Sequence, residues 1–392
     1  MNPDRDTHKQ PELQAPEAPV RSRRERAWEE LRENRLALSG LVVFLLFFVV
    51  AVAGLALTSG SDPVLDPAKV RLQEKLRPPF SRPYAEILPP ADVPTLGIYL
   101  LGTDDLGRDV FARMLQGAWV SLTVGFVAVG ISVLIGIIMG GLAGYFGQQS
   151  LRVDQTLSAV IVLAGAAAAW GGSPFTGLVL VAGGLGYLIV CSPLITKRLL
   201  SGRKSPRKGI SKVVFAGLVS IDTLIMRFVD IMLCFPSFFL ILTVVALLPA
   251  SIYNIMAVIG LTSWMGAARF VRAEFLSLRE QDFVTAAHAL GVSNRRIIFR
   301  HMIPNAIAPV LVSATIGIAT AILTEAGLSF LGFGVPPPHA TWGNILSEGK
   351  RFIFDAPWLT FAPGIAILIV VLSFNLFGEG LRDIMNPKLR ER

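Results

Sequence analysis

Long apolar runs separated by short polar links dominate the chain, and within most runs no polar face recurs. Leu36–Leu57, Leu122–Phe146 and residues 228–250, 252–268, 306–331 and 358–377 read as spanning helices. At 1.5 Å per residue, a helix needs about 20 such residues to cross roughly 30 Å of hydrocarbon. Between the second and third of these runs lie two more, Leu157–Trp170 and Phe175–Ile195, joined by Gly-Gly-Ser-Pro. They read as a helical hairpin, since an even number of crossings leaves every later segment in its original orientation. The alternative is a re-entrant or interfacial pair. The fold class expected is an all-α polytopic membrane protein of about eight spans.

The links have distinct characters. Residues 1–35 form a polar leader, and 36–58 the first span, too long and too far into the chain for a cleaved signal. Residues 59–118 form a loop opposite the leader, rich in proline up to Pro94 and expected to be irregular and exposed. Within it, Asp104 or Asp105 is expected to cap a short amphipathic helix lying on that face. Residues 119–392 form the core, interrupted by the insertion at about 149–220. In the second span Gly136, Gly140 and Gly144 lie four apart, a spacing that lets helices approach closely in lipid.

The link at 273–305 is patterned, unlike a loop. Phe283, Ala286, Ala287 and Leu290 recur at i, i+3, i+4, i+7, one face of a short helix starting near Asp282. Gly291 follows where a helix end takes positive φ. Ser293 is placed to cap a second short helix through Ile297, Ile298 and His301, which Pro304 bounds. A helix–Gly–helix element with an apolar face and nothing in its own loop to cover it wants a partner's groove.

Composition agrees with a membrane protein: 53% of the 392 residues are hydrophobic and 16% charged, with mean hydropathy +0.59. The two cysteines, Cys191 and Cys234, both lie in apolar runs and form no disulfide framework. The net charge of +8 raises nucleic acid as a partner, but its distribution answers that. With the leader inside, 27 of the 36 Lys and Arg fall in inner segments, while the 59–118 loop also carries eight acids. That is the positive-inside bias, with both termini cytoplasmic. The basic tract from Lys197 to Lys212 suits anionic lipid headgroups; no nucleic acid is expected.

The spacing Thr-Ala-Ala-x3-Gly-x9-His-x-Ile-Pro, from Thr285 to Pro304, resembles the coupling loop of ABC importer permeases. Thr285 stands where the general pattern has Glu, with Asp282 three residues earlier, as in the dipeptide, oligopeptide and nickel branch. Leu101–Arg113, the stretch around Glu325, Thr341–Asn344 and Phe374–Asp383 are similar to the same branch. The resemblance implies a six-helix permease core, here with an inserted transmembrane hairpin, working by alternating access. It implies a second homologous permease, two cytoplasmic ABC ATPase domains, an extracytoplasmic solute-binding protein and a bacterial or archaeal inner membrane. The ATPase-coupling residues would be Asp282, Phe283, Ala286, Ala287, Leu290, Gly291, His301 and Pro304. The solute would be a peptide, a nickel chelate or another small molecule.

Catalytic chemistry is not legible. No phosphate loop occurs, so ATP and Mg are expected on the partner ATPase, with no cofactor or metal in this chain and no enzymatic role. The histidines His8, His288, His301 and His339 lack zinc-ligand spacing. Glu325, a carboxylate inside a span, must face protein or water. It reads either as a translocation-path residue or as a buried structural hydrogen bond. Other classes remain open: an ion-coupled secondary transporter would show paired intramembrane charges and an inverted repeat, and an anchoring protein would use the hairpin as its contact surface.

Overall fold

The computed structural model describes Glu29 and residues 32–60, 62–84, 86–147, 150–152 and 217–385. Helix α1 (Arg35–Thr58) opens on Asn34, whose side chain accepts the Ala37 N–H at 3.1 Å. Helix α2 (Val110–Phe146) opens on Asp109, which accepts the Phe111 N–H at 2.9 Å. Its 37 residues make it about 55 Å long, well beyond the roughly 30 Å of a bilayer core. Its first turns therefore project into the outer segment. This corrects the expected amphipathic helix: the chain over Leu101–Asp109 is not helical, and the helix that follows runs unbroken into the span.

The rest of the 59–109 segment is irregular, as its prolines require, but much of it is tied down. Glu74, Thr103, Asp104 and Tyr99 are fully buried. Tyr84 N–H donates to Glu74 at 2.6 Å, Arg77 lies 3.9 Å over the Tyr84 ring, and Arg71 donates to the Asp92 carbonyl at 2.6 Å. Prolines remove backbone donors, and charged side chains supply the missing cross-links.

After α2, strand β1 (Ser150–Arg152) pairs antiparallel with β2 (Gly217–Ser220), Ser150 opposite Ser220. The two ends of the insertion thus meet beside the Phe146 end of α2. The runs Leu157–Trp170 and Phe175–Ile195, the basic tract and Cys191 lie outside the described residues, as do most of the leader and the tail from Asn386.

Next come α3 (Ile221–Leu233) and α4 (Ser237–Leu247), bent by 82° where a straight span over 228–250 was expected. Pro236 has no N–H for the Met232 carbonyl, and its ring disfavours helix before it, so α3 stops at Leu233. Two ion pairs fix α3 against helix α5 (Ile252–Arg279): Asp222 with Arg272, and Asp230 with Arg269. Short helix α6 (Asp282–Ala289), a turn at Asn294–Arg296 and a π-helical turn at Ile297–Met302 lead into α7 (Ile303–Phe330). Helix α8 (Trp342–Gly349) starts with a reciprocal cap, Thr341 accepting from Asn344 N–H and Asn344 from Thr341 N–H. Helix α9 (Trp358–Met385) closes the described chain. Among the described residues five helices are long and apolar enough to span a membrane, or six with the bent pair counted as one.

The core is built on backbone contact between α2 and α5. A Cβ placed on Gly136 would lie 2.6 Å from the Ala267 Cβ, on Gly140 2.4 Å from the Ala268 carbonyl oxygen, and on Gly144 2.6 Å from the Phe275 Cβ. The small-residue stripe read in the sequence is thus the surface on which α5 seats. Gly140→Val is expected to force these helices apart and cost about 1–3 kcal/mol or more. Thermal unfolding in detergent should show a clear drop in Tm, whereas Gly130→Ala, with open space around it, should not lower it.

Candidate functional site

The patterned link folds into a compact element at the Phe146 end of α2. Helix α6 ends in a reciprocal six-residue cap: Val292 N–H donates to the Ala287 carbonyl at 3.1 Å and Gly291 N–H to the His288 carbonyl at 3.0 Å. This geometry needs a left-handed residue, and Gly291 has φ +73°. The glycine is therefore a bend, as its position in the sequence implied.

The apolar face divides differently from the expectation. Val284 and Ala287 point inward, clustering with Tyr145, Phe275, Ile297 and Met302. Ala287 belongs to this inner cluster and not to an outward docking face; the sequence reading missed that α5 and α2 supply the cover. Asp282, Phe283, Ala286, Leu290 and Gly291 are exposed, with Leu290 at 83%. Phe299, one turn into the following segment, joins them at 71% exposure. Phe283, Leu290 and Phe299 are thus left uncovered by this chain at that end of the bundle.

The second short helix does not stop at Pro304. The turn at Ile297–Met302 winds as a π-helix, and Pro304 sits in the first turn of α7, where its missing N–H costs little. His301 is half-buried in that wide turn, and its carbonyl accepts from the Asn305 side chain at 2.6 Å. The patterned link therefore continues into α7 through a single irregular turn.

A polar clamp holds α6 to the bundle. The Tyr145 hydroxyl, at the end of α2, donates to Asn294 Oδ1 at 2.9 Å and lies 3.4 Å from His288 Nε2. The Tyr145 and His288 rings are stacked, 6.1 Å apart. Tyr145 and Asn294 escaped the sequence reading because their partners lie 149 residues apart.

Glu325 is fully buried within this chain. Ser329 donates to its Oε1 at 2.7 Å and Ser121 to its Oε2 at 3.2 Å, with Thr341 Oγ1 3.4 Å from the Ser329 hydroxyl. The carboxylate ties α2, α7 and the start of α8 together. It is not among the residues lining a groove of about 260 Å³ between α2, α5 and α7, which its neighbour Thr324 lines. A second cavity, about 480 Å³, lies between α1, α2 and α5 against Trp119, Tyr253 and His339.

At the opposite end of α2, Arg113 joins Asp104 at 2.5 Å and also binds Glu348, while Arg108 contacts the same two acids at 2.7 and 2.9 Å. Burial, and then the neighbouring Asp104 and Glu348, push the Asp105 carboxyl above the usual carboxylate range. Oxygens of Asp104, Asp105 and Glu348 come within 4.8 Å of one another, close enough to hold a cation. The two guanidiniums already neutralise two of them, so the cluster reads as the bolt joining the outer segment to α8.

Residues 214–391 match the family model described as the binding-protein-dependent transport system inner membrane component. Residues 22–79 match the N-terminal transmembrane domain of oligopeptide transport permease C. A dipeptide transport system permease protein of Alkalihalophilus pseudofirmus is 34% identical, over 93% of this chain and 90% of that protein. An oligopeptide transport system permease protein of Bacillus subtilis is 30% identical over 92% and 88%. A dipeptide transport system permease protein of Haemophilus influenzae is 30% identical over 96% and 97%.

Removing the clamp with Tyr145→Phe should cost about 1 kcal/mol, one net hydrogen bond. Hydrogen exchange should show the loss at α6 amides before the rest of the bundle. Glu325→Gln keeps shape and hydrogen-bonding capacity and should stay within about 1 kcal/mol of the parent, while Glu325→Leu strands the Ser121 and Ser329 hydroxyls and should lower Tm further.

Proposed function

Because the chain belongs to the family of binding-protein-dependent transport system inner membrane components, we propose that it is the permease subunit of an ATP-driven peptide importer. The observation that carries the reading is the α6–Gly291 element. It presents Phe283, Ala286, Leu290 and Phe299 outward and is anchored inward by Val284, Ala287 and the Tyr145 clamp. A bundle that needed only to sit in lipid has no use for an exposed apolar knob at the end of its spans.

In this reading the basic inner segments place α6 in the cytoplasm, where the knob enters a cleft of a partner ATPase. Binding and hydrolysis of ATP, with its Mg, belong to that partner. Two ATPase domains, a second homologous permease and an extracytoplasmic solute-binding protein complete the assembly in a bacterial or archaeal inner membrane. The binding protein delivers peptide against the outer segment, braced by the Asp104–Arg113–Glu348 cluster. Closure of the ATPase pair moves α6. Part of that motion passes to α2 and α5 through apolar contacts and the clamp, and part to α7 through the π-turn. Asp282, beside the knob, offers a charge to its rim, and His301 and Pro304 sit where the motion enters α7. Glu325 acts as an interhelical tie at the other end of α7 and not as a lining residue.

Gly291→Val places a β-branched residue at φ +73° with open space around it, so the strain falls on the bend and not on packing. In proteoliposomes holding the whole complex, peptide uptake should fall about tenfold or more, while the complex still assembles and hydrolyses ATP. Uptake at the parent rate would overturn the assignment of the bend.

A further inference from the structure

We infer that the groove between α2, α5 and α7 is this chain's wall of the translocation path, and that it takes the main chain of the peptide in transit. The inference rests on the importer reading and adds to it a site and a mode of recognition.

Along α7, Ser313, Thr320 and Thr324 lie on one face, joined by Gly317. The stripe is about 16 Å long at 1.5 Å per residue, half the depth of a bilayer core. Across the groove stand Ser263 and Gly266 of α5, and Ser132 of α2. Among the described residues, no charged side chain lines it. The hydroxyls differ in how they are engaged. Thr320 and Thr324 donate back to carbonyls of their own helix, at 3.1 and 2.8 Å. Among the described residues, those of Ser132, Ser263 and Ser313 have no hydrogen-bond partner, although Ser132 is 94% buried, its exposure being 6%. A hydroxyl without a protein partner is free to bond a ligand. Each hydroxyl both donates and accepts, so the set matches the alternating N–H and C=O groups of a peptide main chain.

The lack of charge has a consequence. A charged groove would select among side chains; this one reads only what all peptides share, leaving their side chains to apolar walls and open space. At about 260 Å³ the groove is smaller than the roughly 300 Å³ at which small-molecule sites begin, and it is not enclosed. It is therefore half a path, completed by the second permease. Glu325 is not among the lining residues; its carboxylate is engaged by Ser121 and Ser329.

Gly266 offers the test. A Cβ added there meets nothing within 4 Å, so Gly266→Leu is expected to extend into the groove without a backbone clash. Gly130, also helical, exposed and unobstructed, gives Gly130→Leu as the matched control on another face of the bundle. In proteoliposomes containing the full complex, Gly266→Leu should lower peptide uptake about tenfold or more. ATP hydrolysis stimulated by loaded binding protein should persist, and Gly130→Leu should behave as the parent. In parallel, a charged, membrane-impermeant thiol reagent should modify Ser263→Cys, and peptide with ATP should slow that modification. If Gly266→Leu transports at the parental rate, or Ser263→Cys reacts only with lipophilic reagents, the groove faces lipid and the inference is overturned while the importer reading stands. If the unmodified complex takes up no peptide, both fall together.

Discussion

The structure depends on one constraint: α2 and α5 touch backbone to backbone. In lipid, apolar side chains gain nothing by meeting each other instead of acyl chains, so helices associate where small residues let main chains approach. Here Gly136, Gly140 and Gly144 of α2 receive Ala267, Ala268 and Phe275 of α5. The same logic repeats along α2. At Gly117 it meets Trp342 of α8, and at Gly125 it meets Ile322 of α7. Gly54 of α1 returns the contact against the carbonyl of Leu115. One long helix is thus the shaft on which α1, α5, α7 and α8 seat, each at a glycine. Its two ends carry the polar fastenings, Arg113 at one and Tyr145 at the other.

This rigidity gives the helix–Gly–helix element its meaning. The element hangs from the shaft by Val284, Ala287 and the Tyr145 clamp, yet it continues covalently into α7. The junction is a π-turn followed by Pro304, and Pro309 lies five residues further on. Wide turns and prolines remove main-chain hydrogen bonds, so this is the segment of α7 that bends at least cost. A push on the knob meets a stiff pair on one side and a compliant entry to α7 on the other. The groove lined by Ser132, Ser263 and Thr320 lies between those two bodies, where a relative shift changes its width.

Much of this was legible in the sequence. The spans were readable because lipid demands apolar length, and the helix–Gly–helix element because helical periodicity inside a polar link is unusual. Gly291 was readable because a helix end needs positive φ. Three things were not. Pro236 breaks a run whose composition looks uniform, and hydropathy does not register an 82° bend. Pro304 reads as a stop, but a π-turn absorbs it. The tertiary partners of Ala287, Tyr145, Glu325 and Arg113 lie far away in sequence, and periodicity assigns a face without saying which neighbour covers it. The proline-rich 59–109 segment misled for a related reason. Its order comes from buried charges such as Glu74 and Asp104, which composition marks as surface.

The central claim is that the exposed knob is a docking surface for a cytoplasmic ATPase. The most direct measurement is to place a cysteine at Phe283, tag the C-terminus, cross-link in native membranes and weigh the purified products by mass spectrometry. The account predicts a covalent adduct with an ATPase subunit, within an assembly that also holds a second permease of similar size. Recovery of this chain alone, with no adduct at Phe283→Cys, would contradict it.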